Sequence, residues 1–211
     1  MRRFSKWPIQ RHTAASRSLP DALVTASVGL PPAEMPPVVA LLLPTFGGAQ
    51  DVLDALGEAC PQALGLFLAD PNLLTERLSR QIARHSRWVC NLPSVGQHEH
   101  AFRRYLSEVD LDHGREMRVL TDLAAAGLST IATVSTPRDV DAALSAGPSA
   151  LLVVPPVPDF VTGAVPLARR AALERSVAAQ SDALPILGLR APGEDALGLD
   201  AALLPPSGIS L

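Results

Sequence analysis

The chain has 211 residues and a formal net charge of -3; 47% of it is hydrophobic, 18% charged and 4% aromatic. That balance is globular, and the length suits one domain with a sizeable core. There is no broad basic field and there are too few aromatic stacking platforms for nucleic-acid binding. No apolar run approaches the roughly 18 residues that span a bilayer, so no membrane partner is expected either.

The opening stretch, MRRFSKWPIQRHTAASRS, is rich in Arg and Ser, lacks acids and has no apolar centre of the secretory kind. It reads as a flexible leader over residues 1–20 ahead of a single domain over 21–211, although transit peptides share that composition. Cys60 and Cys90 lie in apolar contexts and read as buried free thiols, as in a cytoplasmic protein.

Beyond the leader, short apolar runs alternate with helical patterns. The runs cover 22–28, 38–44, 63–69, 87–93, 129–135, 150–156, 184–190 and 200–206. Most are apolar throughout rather than alternating, as expected of parallel strands covered on both faces. Between them, Leu74, Leu78 and Ile82 repeat at helical spacing. So do Phe102, Leu106 and Val109, and then Met117, Leu120 and Ala124 before a stop at Gly127. Thr136 as N-cap, Pro137 at the first helical position and Gly147 past the end frame another helix.

Strand–helix alternation over eight runs predicts an α/β fold, a compact (β/α)8 TIM-type barrel. Two connections are too short or too rich in proline for helices, GLPPAEMPP (29–37) and APGEDALGL (191–199), so one or two outer helices are expected to be missing. An open doubly wound sheet is the alternative, but no glycine-rich dinucleotide fingerprint follows the first run. No Walker loop, nucleophile elbow or zinc spacing occurs, and no cofactor is expected.

The segment NLPSVGQHEHAFRRYL, Asn91 to Leu106, carries the densest chemistry. His98 and His100 would share a face if extended. On a helix, residues two apart diverge by about 200° and could not chelate one ion. Gly96 and the helical period from Phe102 place the pair at a loop-to-helix junction, so no metal is expected. Glu99 beside two imidazoles suits acid–base work, with His98 as a further candidate. Gly47 and Gly48, in PTFGGAQD, could present backbone amides to a phosphate or carboxylate, or simply form a tight turn. Asp70 stands at a strand end, either as a ligand contact or as a turn residue. Glu116, Arg103–Arg104 and Arg169–Arg170 read as solvated helix faces.

Several segments in order, ALLLPTFGGAQ, LGLFLADPNLL, WVCNLPSVGQHEHAFRRYLSEVDLDHGREM and AAAGLSTIATVSTPRDVDAALSAGPSALLVV, resemble the phosphoenolpyruvate hydrolase-like TIM-barrel family. The same barrel occurs at the C-terminus of tobamovirus resistance proteins. The likeness covers roughly residues 38–154. It is strongest where that family reads N-F-P-T-V-G, then Asp-Gly, then F-R. Asn91, Pro93, Val95, Gly96, Phe102 and Arg103 match, and Glu99 takes the place of the aspartate. The chain departs elsewhere: Val154-Pro155-Pro156 replaces a His-Met-Gly segment, and the family's E-x-E pair is Glu116 and Arg118. A divergent, shortened member is implied.

The resemblance implies a lyase or hydrolase acting on a small oxoacid or phosphorylated acid. Asn91 would orient the substrate, Glu99 or His98 would move protons, and Gly47, Gly48, Gly96 and Asp70 would contact a small anionic ligand. The alternative is a non-catalytic barrel serving as a binding or assembly partner. Self-association is expected in either case, because missing outer helices would leave apolar strand faces uncovered.

Overall fold

The computed structural model describes residues 5–12, 23–26, 53–54, 61–86, 88–161, 163–181 and 184–205. Its strands are β1 (Ser5–His12), β2 (Leu23–Ala26), β3 (Ala63–Gly65), β4 (Trp88–Cys90), β5 (Ser129–Val134), β6 (Ala150–Val153), β7 (Ile186–Leu189) and β8 (Ala201–Leu204). Its helices are α1 (Thr75–His85), α2 (His100–Ser107), α3 (His113–Ala125), α4 (Val140–Ser145), α5 (Val157–Val161) and α6 (Leu167–Ala178). The run at 38–44, the connection at 29–37, Gly47, Gly48 and Cys60 lie outside the described residues.

The strand pairs are parallel throughout. In β5 and β6, for example, Ile131 faces Ala150 and Val134 faces Val153. Side chains alternate between two cores because strand residues point to opposite faces. Leu64, Val89, Ala132, Val134, Leu151 and Val153 enter the outer core beneath the helices. Ala63, Cys90, Ile131, Ala150, Leu152 and Leu203 fill the inner face of the curl. Burial on both sides is why the runs are apolar without alternation. Each fully buried Leu or Val contributes about 1.5–3 kcal/mol relative to exposure. Burial also pushes the Cys90 thiol up to about 12, against the lowering effect of its Thr133 contact.

The expected compact (β/α)8 TIM-type barrel is corrected. The eight parallel strands run in the order β1 to β8 and close on themselves through β1 and β8, but they are not the eight read from sequence: the first comes from Ser5–His12. Among the described residues, 53–54 are helical ahead of β3, strand–helix alternation runs from β3 to β7, and the return from β7 to β8 carries no helix. β1, in the stretch read from sequence as a leader, instead pairs in parallel with both β2 and β8. The physical reason at the β7–β8 return is local. Gly193, Leu197 and Gly198 all take positive φ, which no right-handed helix accepts.

Helix faces follow the expected periods with two exceptions. Leu78, Ile82, Met117 and Leu120 are buried as expected. Leu74 is 69% exposed and precedes α1 rather than anchoring it. Phe102 and Val109 are 41% and 52% exposed, and α2 buries none of its residues. No described helix is long and apolar enough to cross a membrane.

Candidate functional site

β4 ends at Cys90, and the chain continues through Asn91 and a cis Leu92–Pro93 bond into a short 3-10 turn, Val95–Gln97. Ser94 caps that turn: its backbone N–H donates to Gln97 Oε1 (2.8 Å), and its hydroxyl accepts from the Gly96 N–H (3.1 Å). One buried carboxylate holds the turn. Glu116 Oε2 accepts from Ser94 Oγ (2.6 Å) and Asn91 Nδ2 (3.2 Å), and Oε1 accepts from the Val95 N–H (3.0 Å). His113 Nδ1 lies 3.1 Å from Oε2.

Glu116 is fully buried, so its reading as part of a solvated face is corrected. It lies on the inward stripe of α3 with His113, Leu120 and Leu123, spaced i, i+3, i+7 and i+10. A polar pair continuing an apolar stripe was the available sequence signal. The solvated reading of Arg170 is corrected too: it is 2% exposed and forks onto Glu194 (2.9 and 2.6 Å). Arg103 is only partly exposed and pairs with Asp139 (2.7 Å).

Asn91 is buried, and its side chain is spent within the protein. Its amide donates to Ser94 and Glu116, and its Oδ1 accepts from the Thr133 N–H (2.7 Å). It therefore ties β4 to β5. Glu99 is exposed at the N-cap position of α2, without a capping bond from its side chain. Asp70 accepts from the Asn72 N–H (2.8 Å) and Nδ2 (3.2 Å), a turn contact on the β3 side.

Beside this loop opens a cleft of about 970 Å³, bordered by the β4 loop, α2, the start of α3 and the turn after β5. His98, His100 and His113 line it together with Arg103, Arg104 and Arg138, facing Glu99, Asp112 and Asp139. The first turns of α2 and α3 both border it, and helix N-termini carry partial positive charge. Among the described residues, no group of three or more His, Cys, Asp or Glu is placed to hold a metal ion.

His98 ends the 3-10 turn and packs edge-on against Phe102, with ring centroids 5.1 Å apart. Its Nε2 is buried without a partner among the described residues. Desolvation lowers its pKa from 6.5, aided by Arg103 and opposed by Glu116 and Glu99. Between that lowered value and 6.5 the unfolded chain binds more protons at His98 than the folded chain does. Stability from this residue is therefore complete above pH 6.5 and falls as pH drops below it. Denaturant unfolding at pH 7.5 and 5.5 is expected to show a larger loss for the wild type than for His98→Gln. Equal losses would remove His98 as the cause.

No protein-family model matches the chain, and no curated protein matches it. Solved structures do. One described as "Native KDPGal structure" matches over 94% of this chain and 81% of its own, at 14% identity and a TM-score of 0.44. A nitroalkane oxidase from Streptomyces ansochromogenes matches over 94% of this chain and 64% of its own, at 16% identity and a TM-score of 0.44. A designed cube-shaped, porous protein cage made by fusing symmetric oligomeric domains matches over 96% and 63%, at 16% identity and a TM-score of 0.41. This chain spans less than two thirds of the latter two. The likeness to the phosphoenolpyruvate hydrolase-like family rests on sequence segments alone.

Proposed function

We propose that the chain is an enzyme acting on a small oxoacid or phosphorylated acid, by lyase or hydrolase chemistry, in the cleft beside the β4 loop. The observation that carries this reading is the convergence there of three histidines with Arg103, Arg104 and Arg138. Guanidiniums hold carboxylate or phosphate, and imidazoles move protons near neutral pH. His98 and Glu99, both lining the cleft, are candidates for proton transfer in this reading. Asn91 and Gly96 hold the loop that presents them. Asp70 remains a candidate contact from outside this lining, and Gly47 and Gly48, which lie outside the described residues, remain candidates from sequence. The segment likeness at Asn91–Arg103 supports the same substrate class.

One observation favours the alternative, a non-catalytic binding or assembly partner. Phe102, Tyr105 and Val109 are 41%, 60% and 52% exposed along α2 and just past it. An apolar stripe of that kind suits self-association into a homo-oligomer.

Calorimetric titration with pyruvate, phosphoenolpyruvate and inorganic phosphate tests the enzyme reading. Arg138 is exposed on the cleft rim, so Arg138→Gln should leave stability within about 0.5 kcal/mol. It should weaken binding about tenfold, the loss of one charge-assisted hydrogen bond. If none of the three compounds binds, while light scattering shows an oligomer, the assembly reading replaces it.

A further inference from the structure

We infer that His113 is the general base of this cleft, acting through Nε2 with its ring positioned by Glu116. Its task is to take a proton from the carbon next to the carbonyl of a 2-oxoacid. The inference rests on the proposed function for its substrate class and adds the group that does the chemistry.

His113 is the first residue of α3, directly after Asp112, whose side chain accepts from the Arg115 N–H (2.8 Å). The i,i+3 spacing brings Glu116 alongside the ring, with 3.1 Å between Nδ1 and Oε2. The other contacts of that carboxylate are a hydroxyl, a side-chain amide NH2 and a backbone N–H, all able to donate. A carboxylate so surrounded accepts on both oxygens, so the proton on the His113–Glu116 contact belongs to Nδ1. The lone pair is then on Nε2.

Two features set this ring apart. The His113 side chain is 9% exposed, and its Nε2 is buried with no protein partner among the described residues, although the ring borders the cleft. A buried acceptor left unpaired in a well-formed site calls for a missing donor. Gly96 also makes room for the ring: a Cβ there would come within 3.2 Å of Nδ1 and 3.4 Å of Cε1. A base, an orienting carboxylate and a ring at the border of a cleft are the parts of an activated proton acceptor.

The step balances without a further reactant. The C–H bond next to the carbonyl breaks and its proton goes to Nε2. The bonding pair becomes the C=C of the enolate, and the C=O π pair moves onto oxygen. The rim guanidiniums supply positive charge where that oxygen gains negative charge. Reversal returns a proton, or a deuteron in heavy water, to the carbon.

The test follows loss of the pyruvate methyl proton signal in deuterium oxide by NMR, with binding measured alongside. Wild-type protein is expected to catalyse exchange. His113→Asn is expected to keep pyruvate binding and lose exchange by at least about a hundredfold, the usual scale for a general base. Nitrogen-15 imidazole spectra of the wild type should show His113 as the Nδ1–H tautomer, with the Nε2–H form rising in Glu116→Gln. This readout needs no variant that might misfold, and a wild-type Nε2–H tautomer overturns the assignment. Binding without exchange, or full exchange in His113→Asn, overturns this inference and leaves the proposed function standing. Absence of any binding overturns both.

Discussion

Glu116→Ala is expected to destabilise the protein by about 3–5 kcal/mol, the range for stranding the partners of a buried charge. The midpoint of thermal unfolding should drop by roughly 10 °C in a chain of this size. The cause is not lost volume. The carboxylate satisfies donors on Asn91, Ser94, Val95 and His113 at once. In its absence those groups stay buried and unpaired, each at about 1–3 kcal/mol before relaxation. Water entering the space would recover part of that, which keeps the total below the sum.

Glu116→Gln separates charge from shape. Its carbonyl can still accept, but its NH2 meets groups that also donate, so a loss of about half the alanine value is expected. Glu108→Ala, at an exposed position, serves as control and should stay within about 0.5 kcal/mol. Denaturant unfolding with unchanged slope measures all three. Hydrogen exchange at the Val95 amide should accelerate first, because that N–H donates to Glu116. An alanine effect within 1 kcal/mol would mean that the four contacts do not form together.

The same residue shows what was legible in the chain. Strand positions 63–65, 88–90, 129–134, 150–153, 186–189 and 201–204 fall inside the apolar runs, because burial on both faces writes itself as unbroken hydrophobicity. Helix α3 was legible for its stripe at Met117 and Leu120. Glu116 was not, because charge on a helix normally faces water, and only its partners on a loop about twenty residues earlier explain its burial. His113 was missed for the same reason. The period at Phe102, Leu106 and Val109 misled in the opposite direction. It is a true helical repeat, but a repeat says which residues share a face and not what covers that face. The make-up of the strand set was the largest miss. Counting apolar runs could not show that β1 comes from Ser5–His12, a stretch with three basic residues and a proline. Nor could it show that the return to β8 is built without a helix.

That return is held by ions, and breaking them should be as costly as losing Glu116. Arg190, just past β7, forks onto Glu174 of α6 at 2.7 and 2.6 Å, with side-chain exposures of 1% and 6%. Its remaining donors reach the carbonyls of Leu189, Asp195 and Ala196. Glu174→Ala leaves a buried guanidinium without its counter-charge, and a loss of about 3–5 kcal/mol is expected. Gly188→Ala should act through the same pair, because a Cβ at Gly188 would overlap Glu174 Oε1. The double variant Glu174→Leu/Arg190→Met removes both charges. Replacing a buried pair by apolar groups is often neutral, but here the 195–196 turn also loses its anchor. The double variant is therefore expected to recover only part of the single loss, with a coupling of about 1–3 kcal/mol in the cycle. Additive losses would show that Arg190 and Glu174 do not act as a pair. Full recovery would show that the carbonyl contacts contribute nothing to holding the turn from β7 to β8.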